Sequence, residues 1–280
     1  MTRDQTMHRS QAERDAVGAV FGEADVGGCY AARPPYAPAL HDFLLEKVSG
    51  RTRAMDLGCG PGKIAQALAD SFEEVVALDP SGAMIAAGRA ADAGRHPNIR
   101  WVTALAEDYQ DAGRFDLIAA GTAIHWPDQA VLFPKLADWT STVAIITGDA
   151  PVRAPCGEAA WTAFLTRWLA RVAERTGIVI PYSPERFAAE GRRHEAWIDI
   201  AGRRTFAFTF DQSVEDFITC QHSRATWSRA VMGPRLSAEF DQELDALMGP
   251  FAVDGRLSLA MESELTWGVP LRIADPGTPV

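Results

Sequence analysis

Seven consecutive residues, Asp56-Leu57-Gly58-Cys59-Gly60-Pro61-Gly62, are the stretch of this chain best suited to hold a ligand. A short apolar run, Thr52 to Leu57, leads into them, and an amphipathic stretch, Lys63 to Asp70, follows. They therefore read as a strand-to-helix turn. Glycines there let the backbone turn sharply and let a ligand approach with no Cβ in the way. Two phosphate-binding patterns fail on this stretch. In G-x-G-x-x-G, Gly58 and Gly60 fit, but the third position is Lys63. In the P-loop, Gly-Lys must be followed by Ser or Thr, and Gly62-Lys63 is followed by Ile64.

The acidic residues point elsewhere. A carboxylate at Asp56 repels a pyrophosphate and suits an ammonium. Asp79 closes the next β-branched run, Glu74 to Leu78, about 20 residues on, where a carboxylate accepts hydrogen bonds from ribose hydroxyls. S-adenosyl-L-methionine offers an ammonium, a ribose, an adenine and a sulfonium, and no phosphate. A second group lies after the fourth apolar run: His125 is a candidate base for an oxygen or nitrogen nucleophile, and Trp126 is a candidate wall.

These residues need a frame, and the pattern supplies one. Tyr36 to Val48, Lys63 to Asp70, Gly82 to Ala93 and Asp128 to Trp139 read as helices. They alternate with strands over Thr52–Leu57, Glu74–Leu78, Ile99–Thr103, Phe115–Ala120 and Val143–Thr147. After Gly148 the rhythm changes. Glu158 to Ala173 is an amphipathic helix with an aromatic face, interrupted later by Pro181 and Pro184. Arg203 to Phe210 alternates as a strand. Ser213 to Arg229 and Ser237 to Met248 read as helices, and Leu257 to Leu271 as a closing strand pair or long edge strand. The expectation is an α/β fold: a doubly wound, mostly parallel seven-stranded sheet with a helical cap. Its units are a leader and lid over 1–35, a ligand-binding core over 36–149, a substrate cap over 150–250, and closing strand and tail over 251–280.

The residues Ala54 to Gly62, with Asp79-Pro80-Ser81 and Met84, resemble the first two motifs of the class I S-adenosylmethionine-dependent methyltransferases. The resemblance implies a Rossmann-like core in which Asp56, Gly58, Gly60, Gly62, Asp79 and Pro80 hold the cofactor. It also implies that Met84 packs on the adenine and that Ala106-Glu107 lie near its edge. Leu105 stands where the wider family often has an acid. Tyr30 to Tyr36 and Gly121 to Trp126 resemble the small-molecule branch that includes trans-aconitate methyltransferases. That likeness places Thr122 on the cofactor and lets Tyr30 and Arg33 close over its methionine end, with Arg33 pairing the carboxylate. No Asn-Pro-Pro-Tyr follows the fourth strand, unlike the amino-methyltransferases of DNA bases.

Charge bounds the partners. The net charge of −10 argues against a nucleic-acid backbone, and no apolar run approaches the ~20 residues of a membrane helix. A cytoplasmic monomer or homodimer acting on a small molecule is the expectation. Arg224, Arg229, Arg203 and Arg204 are candidates to receive an anionic acceptor, Arg224 first. Cys29, Cys59, Cys156 and Cys220 are too scattered for zinc, and no metal is expected. Two other readings stay open: a nicotinamide-dependent oxidoreductase on a similar sheet, and a cofactor-binding regulatory module without turnover.

Overall fold

The computed structural model describes residues 24–148, 150–177 and 192–272. The expected leader before Ala24, the Pro181–Pro184 interruption and the tail after Arg272 lie outside them. Five short strands come first: β1 (Arg53–Leu57), β2 (Glu74–Asp79), β3 (Ile99–Thr103), β4 (Leu117–Gly121) and β5 (Val143–Thr147). Two long ones follow, β6 (Ile198–Ser213) and β7 (Arg256–Pro270). They form one seven-stranded sheet in the order β3-β2-β1-β4-β5-β7-β6. The first five run parallel, and β7 runs antiparallel to both β5 and β6.

The parallel strands inside the edge strand β3 are buried on both faces, so they read as continuous apolar runs rather than alternating ones. Successive residues still part company across the sheet. Ala54, Val75, Ala77 and Leu117 pack against Leu40 and Leu44 of helix α2 (Pro38–Glu46), which follows the short α1 (Ala24–Cys29), and against Ile64 and Leu68 of α3 (Lys63–Ala69). Met55, Val76, Leu78 and Ile118 pack on the other side against Leu132, Phe133 and Leu136 of α5 (Gln129–Trp139). Asp128, expected inside α5, is instead its cap: its side chain accepts from the Ala130 N–H. Helix α4 (Gly82–Asp92) starts the same way from Ser81. The strand order reverses between β1 and β4, which opens a crevice at the carboxyl ends of the strands.

The chain after β5 differs from its expected form in three ways. First, Arg256–Pro270 is a single strand inserted between β5 and β6, and β6 is the edge. The segment 150–250 is therefore not a separate layer throughout, because Ile198–Ser213 belongs to the sheet. Second, the helix expected over Ser213–Arg229 is α7 (Val214–His222), capped by Ser213 and ended well before Arg229. Third, the last helix, α8 (Arg229–Met248), starts earlier than Ser237, because the Ser228 hydroxyl caps it, and it kinks at Gly233-Pro234.

Register shows where the long strands go. Thr147, the last residue of β5, lies opposite Glu264 of β7. Residues 256–263 of β7, and their β6 partners, therefore run past the carboxyl end of the parallel strands. There Leu257, Leu259 and Met261 share a third core with Phe164, Trp168 and Val172 of α6 (Glu158–Thr176), Phe217 of α7 and Phe240 of α8.

Candidate active site

At the crevice between β1 and β4 lies a cavity of about 690 Å³. Its floor is the loop after β1. The N–H groups of Gly58 and Cys59 both donate to the Leu78 carbonyl, at 2.8 and 3.0 Å, which ties the loop across to β2. Gly58, Gly60 and Gly62 all have positive φ. At Gly58 the demand is double, since a Cβ would also meet that of Ala123 at 2.5 Å. Gly58→Ala is accordingly expected to destabilise the fold by about 2–4 kcal/mol, read by denaturant unfolding, from left-handed strain plus overpacking. Unchanged stability would show that the loop relaxes freely.

Two carboxylates flank this loop. Asp56 is 1% exposed. Its Oδ2 accepts the Ala65 N–H of α3 at 2.8 Å, while Oδ1 is buried with no hydrogen-bond partner, and the residue lines the cavity. Burial pushes its carboxyl up to about 7; the Ala65 N–H works against that shift and the Asp79 charge adds to it. Asp79 accepts the Gly60 N–H on Oδ2 and the Ser81 N–H on Oδ1, each at 2.8 Å. Burial raises its pKa too, opposed by those two donors. Each oxygen keeps lone pairs for a ligand. An orphaned, buried carboxylate oxygen is costly unless something charged or donating meets it.

Residues 54–141 match the family model of a methyltransferase domain. Over this domain the chain is similar to known methyltransferases. An uncharacterized methyltransferase of Mycobacterium tuberculosis is 35% identical over 118 residues, 42% of this chain and 46% of that protein. A trans-aconitate 2-methyltransferase of Methylobacterium radiotolerans is 40% identical over 86 residues, 30% of this chain and 32% of that protein. The matched region thus spans under half the length of these relatives. Among solved structures, a candidate type II methyltransferase of Anaeromyxobacter dehalogenans aligns with a TM-score of 0.61 at 24% identity, over 85% of this chain and 97% of that one. That likeness shows a shared fold.

The methyltransferase domain brings most of the expected residues to one cavity. Tyr30, Arg33, Asp56, Gly58, Gly60, Asp79, Pro80, Met84, Ala106, Glu107, Thr122 and Trp126 all line it. Three do not. Gly62 packs below the loop, where a Cβ would strike the Trp101 ring at 2.3 Å. His125 is half-buried off the cavity wall, its ring 4.7 Å from that of Trp126. Arg224 caps the short turn Ala225–Trp227, also off the wall. Glu107 accepts the Asp128 N–H at 2.8 Å and so braces the start of α5.

Other wall residues went unassigned in the sequence. Tyr36 bonds Thr122 Oγ1 at 3.2 Å, and Lys63 and Ser81 also line the cavity. Thr122 itself has φ of 50°, a strained state for a β-branched residue and one that clusters at functional sites. Cys59 is on the wall, but burial pushes its thiol well up, so it is a packing group rather than a nucleophile. Among the described residues, no group of His, Cys, Asp and Glu could hold a metal ion, and no helix is long and apolar enough to cross a membrane.

Proposed function

We propose that this protein moves a methyl group from S-adenosyl-L-methionine to an oxygen or nitrogen of a small-molecule acceptor. The observation that carries the reading is the pair of buried carboxylates that flank the glycine loop and line the cavity, one with an orphaned oxygen. Asp56 Oδ1 suits the cofactor's ammonium, and the spare lone pairs of Asp79 suit its ribose hydroxyls. Met84, 2% exposed, packs on the adenine, with Pro80, Ala106 and Glu107 around it. When bound, the cofactor supplies a methyl group activated by its sulfonium.

The chain's own residues bind, orient and exclude water. Tyr30, Tyr36, Thr122 and Trp126 form the wall that aims the acceptor, and such alignment supplies much of the acceleration in an in-line displacement. Helices α6 to α8, held past the carboxyl ends of the strands by β6 and β7, serve as the cap that completes the acceptor pocket. The net charge of −10 favours a free small molecule over nucleic acid or an anionic membrane surface. A monomer or homodimer in the cytoplasm fits that role. A nicotinamide cofactor fits less well, because Lys63 stands where its fingerprint needs glycine.

Calorimetry should show binding of S-adenosylmethionine and S-adenosylhomocysteine, and mass spectrometry should show candidate acceptors gaining one methyl. Tight NADH binding with neither methionine cofactor bound would sink the reading. His125 is the weakest part of the expected site, since it is off the wall. We expect His125→Gln to retain most of the methyl transfer, with an unchanged pH profile. A loss of roughly 10²–10⁴-fold in kcat, not rescued by Gln, would instead make it the base.

A further inference from the structure

Among the described residues, side chains hold the segment Tyr30–Pro34 from two sides, and neither set of bonds belongs to the sheet. Lys63, the first residue of α3, donates its ammonium to the carbonyls of Arg33 and, at 3.3 Å, Pro34. From the opposite side, Arg33 Nε donates to Ser223 Oγ at 2.7 Å and Nη2 to the Ser223 carbonyl at 2.8 Å. The Arg33 guanidinium also lies 3.9 Å over the Tyr30 ring.

Ser223 is itself tightly held. It is fully buried, just past α7, and its hydroxyl donates to the Cys220 carbonyl at 2.5 Å. Its neighbour His222 is equally buried. His222 Nδ1 lies 2.6 Å from the Trp227 carbonyl oxygen, and Nε2 lies 2.5 Å from Asp241 Oδ1 in α8. Ser223 therefore takes its position from the helical unit, and Arg33 takes its position from Ser223. Tyr30, Arg33, Pro34 and Lys63 all line the cavity.

We propose that Ser223 is a positioning residue: by holding the Arg33 fork it locks the Tyr30–Pro34 strap as a cavity wall, so the helical unit governs how long the ligand stays. This rests on the cofactor reading above. Pro34 is buried, but the rest of the strap has little apolar anchoring, since Ala31 is exposed and Tyr30, Ala32 and Arg33 are half-buried. Its polar bonds must hold it, and a guanidinium giving two donors to one residue is among the stronger and more directional of such bonds. Lys63 fixes the backbone at the Pro34 end. Loss of the Ser223 hydroxyl therefore loosens the Tyr30 end first, and opening of that end releases the ligand.

The test uses the full chain with Ser223→Ala, Arg33→Ala and the double variant, and Arg33→Lys as a variant that keeps the charge and loses the fork. Hydrogen exchange of the Ala31, Ala32 and Arg33 amides is read on the unliganded protein, and S-adenosylhomocysteine dissociation by stopped flow. Ser223→Ala, which keeps the carbonyl acceptor, should speed both by about tenfold, Arg33→Ala by at least as much, and the double variant should be no faster than Arg33→Ala. Faster exchange with unchanged dissociation overturns the inference alone, as does dissociation that simply multiplies in the double variant. Failure of the unmodified protein to bind S-adenosylhomocysteine overturns the cofactor reading and this inference together.

Discussion

Asp79→Ala is expected to weaken S-adenosylhomocysteine binding by about 10–150-fold, measured by calorimetry at constant pH and salt. Two losses combine. The ligand's ribose hydroxyls lose a charged acceptor, and hydrogen bonds to charged groups contribute about 1.5–3 kcal/mol. The loop also loses its tie, because Asp79 holds the Gly60 N–H through Oδ2 and the Ser81 N–H through Oδ1. The mutation leaves both donors without that acceptor and loosens the turn that the ligand must approach. Asp79→Asn separates the two effects. Its oxygen can still take one N–H, but its amide nitrogen faces the other donor, so part of the loss should remain. Affinity within twofold of the unmodified protein in Asp79→Ala would remove the ribose contact from the reading.

The parts of this fold that were legible in the sequence share one physical cause: local pattern. Parallel strands buried on both faces are short apolar runs. The helices between them carry their own caps, Ser81 and Asp128, within a residue of where the pattern starts. The glycine loop was legible because its positive-φ positions exclude most other residues, and Asp56 and Asp79 because each ends a strand.

What was not legible is long-range. The inward face of β7, with Leu257, Leu259 and Met261 buried and Ser258 and Ala260 exposed, reads the same at a sheet edge as inside it. Only pairing with β6 decides. The end of α7 at His222 has no glycine or proline to mark it; the turn is set by contacts of His222 with Trp227 and Asp241. The bond from Arg33 to Ser223 spans 190 residues, and no spacing rule predicts it. His125 and Arg224 were chosen for residue type and position after a strand or helix. Neither lines the cavity.

Asp56 carries the sharpest pH prediction. In the ligand-free fold its carboxyl is pushed up to about 7, first by burial, against an ordinary value of 3.8. The folded state therefore holds a proton that the unfolded state releases between about pH 4 and 7. The stability this confers is full below 3.8 and is lost as pH rises through about 7; three pKa units correspond to at most about 4 kcal/mol. Asp56→Asn cannot titrate, so its unfolding free energy should lack this decline and should exceed that of the unmodified ligand-free protein at pH 8. Binding should show the reverse trend. An ammonium set against Asp56 requires the carboxylate, so below pH 7 the ligand must expel the proton. S-adenosylhomocysteine affinity should then rise about tenfold per pH unit from 5 to 7 and level off above. Calorimetry at pH 6 in buffers of different ionisation enthalpy should count close to one proton released per ligand, and none for Asp56→Asn. Flat affinity from pH 5 to 7 with no proton released would mean that the ammonium does not sit on Asp56, and that the orphaned oxygen answers to some other group.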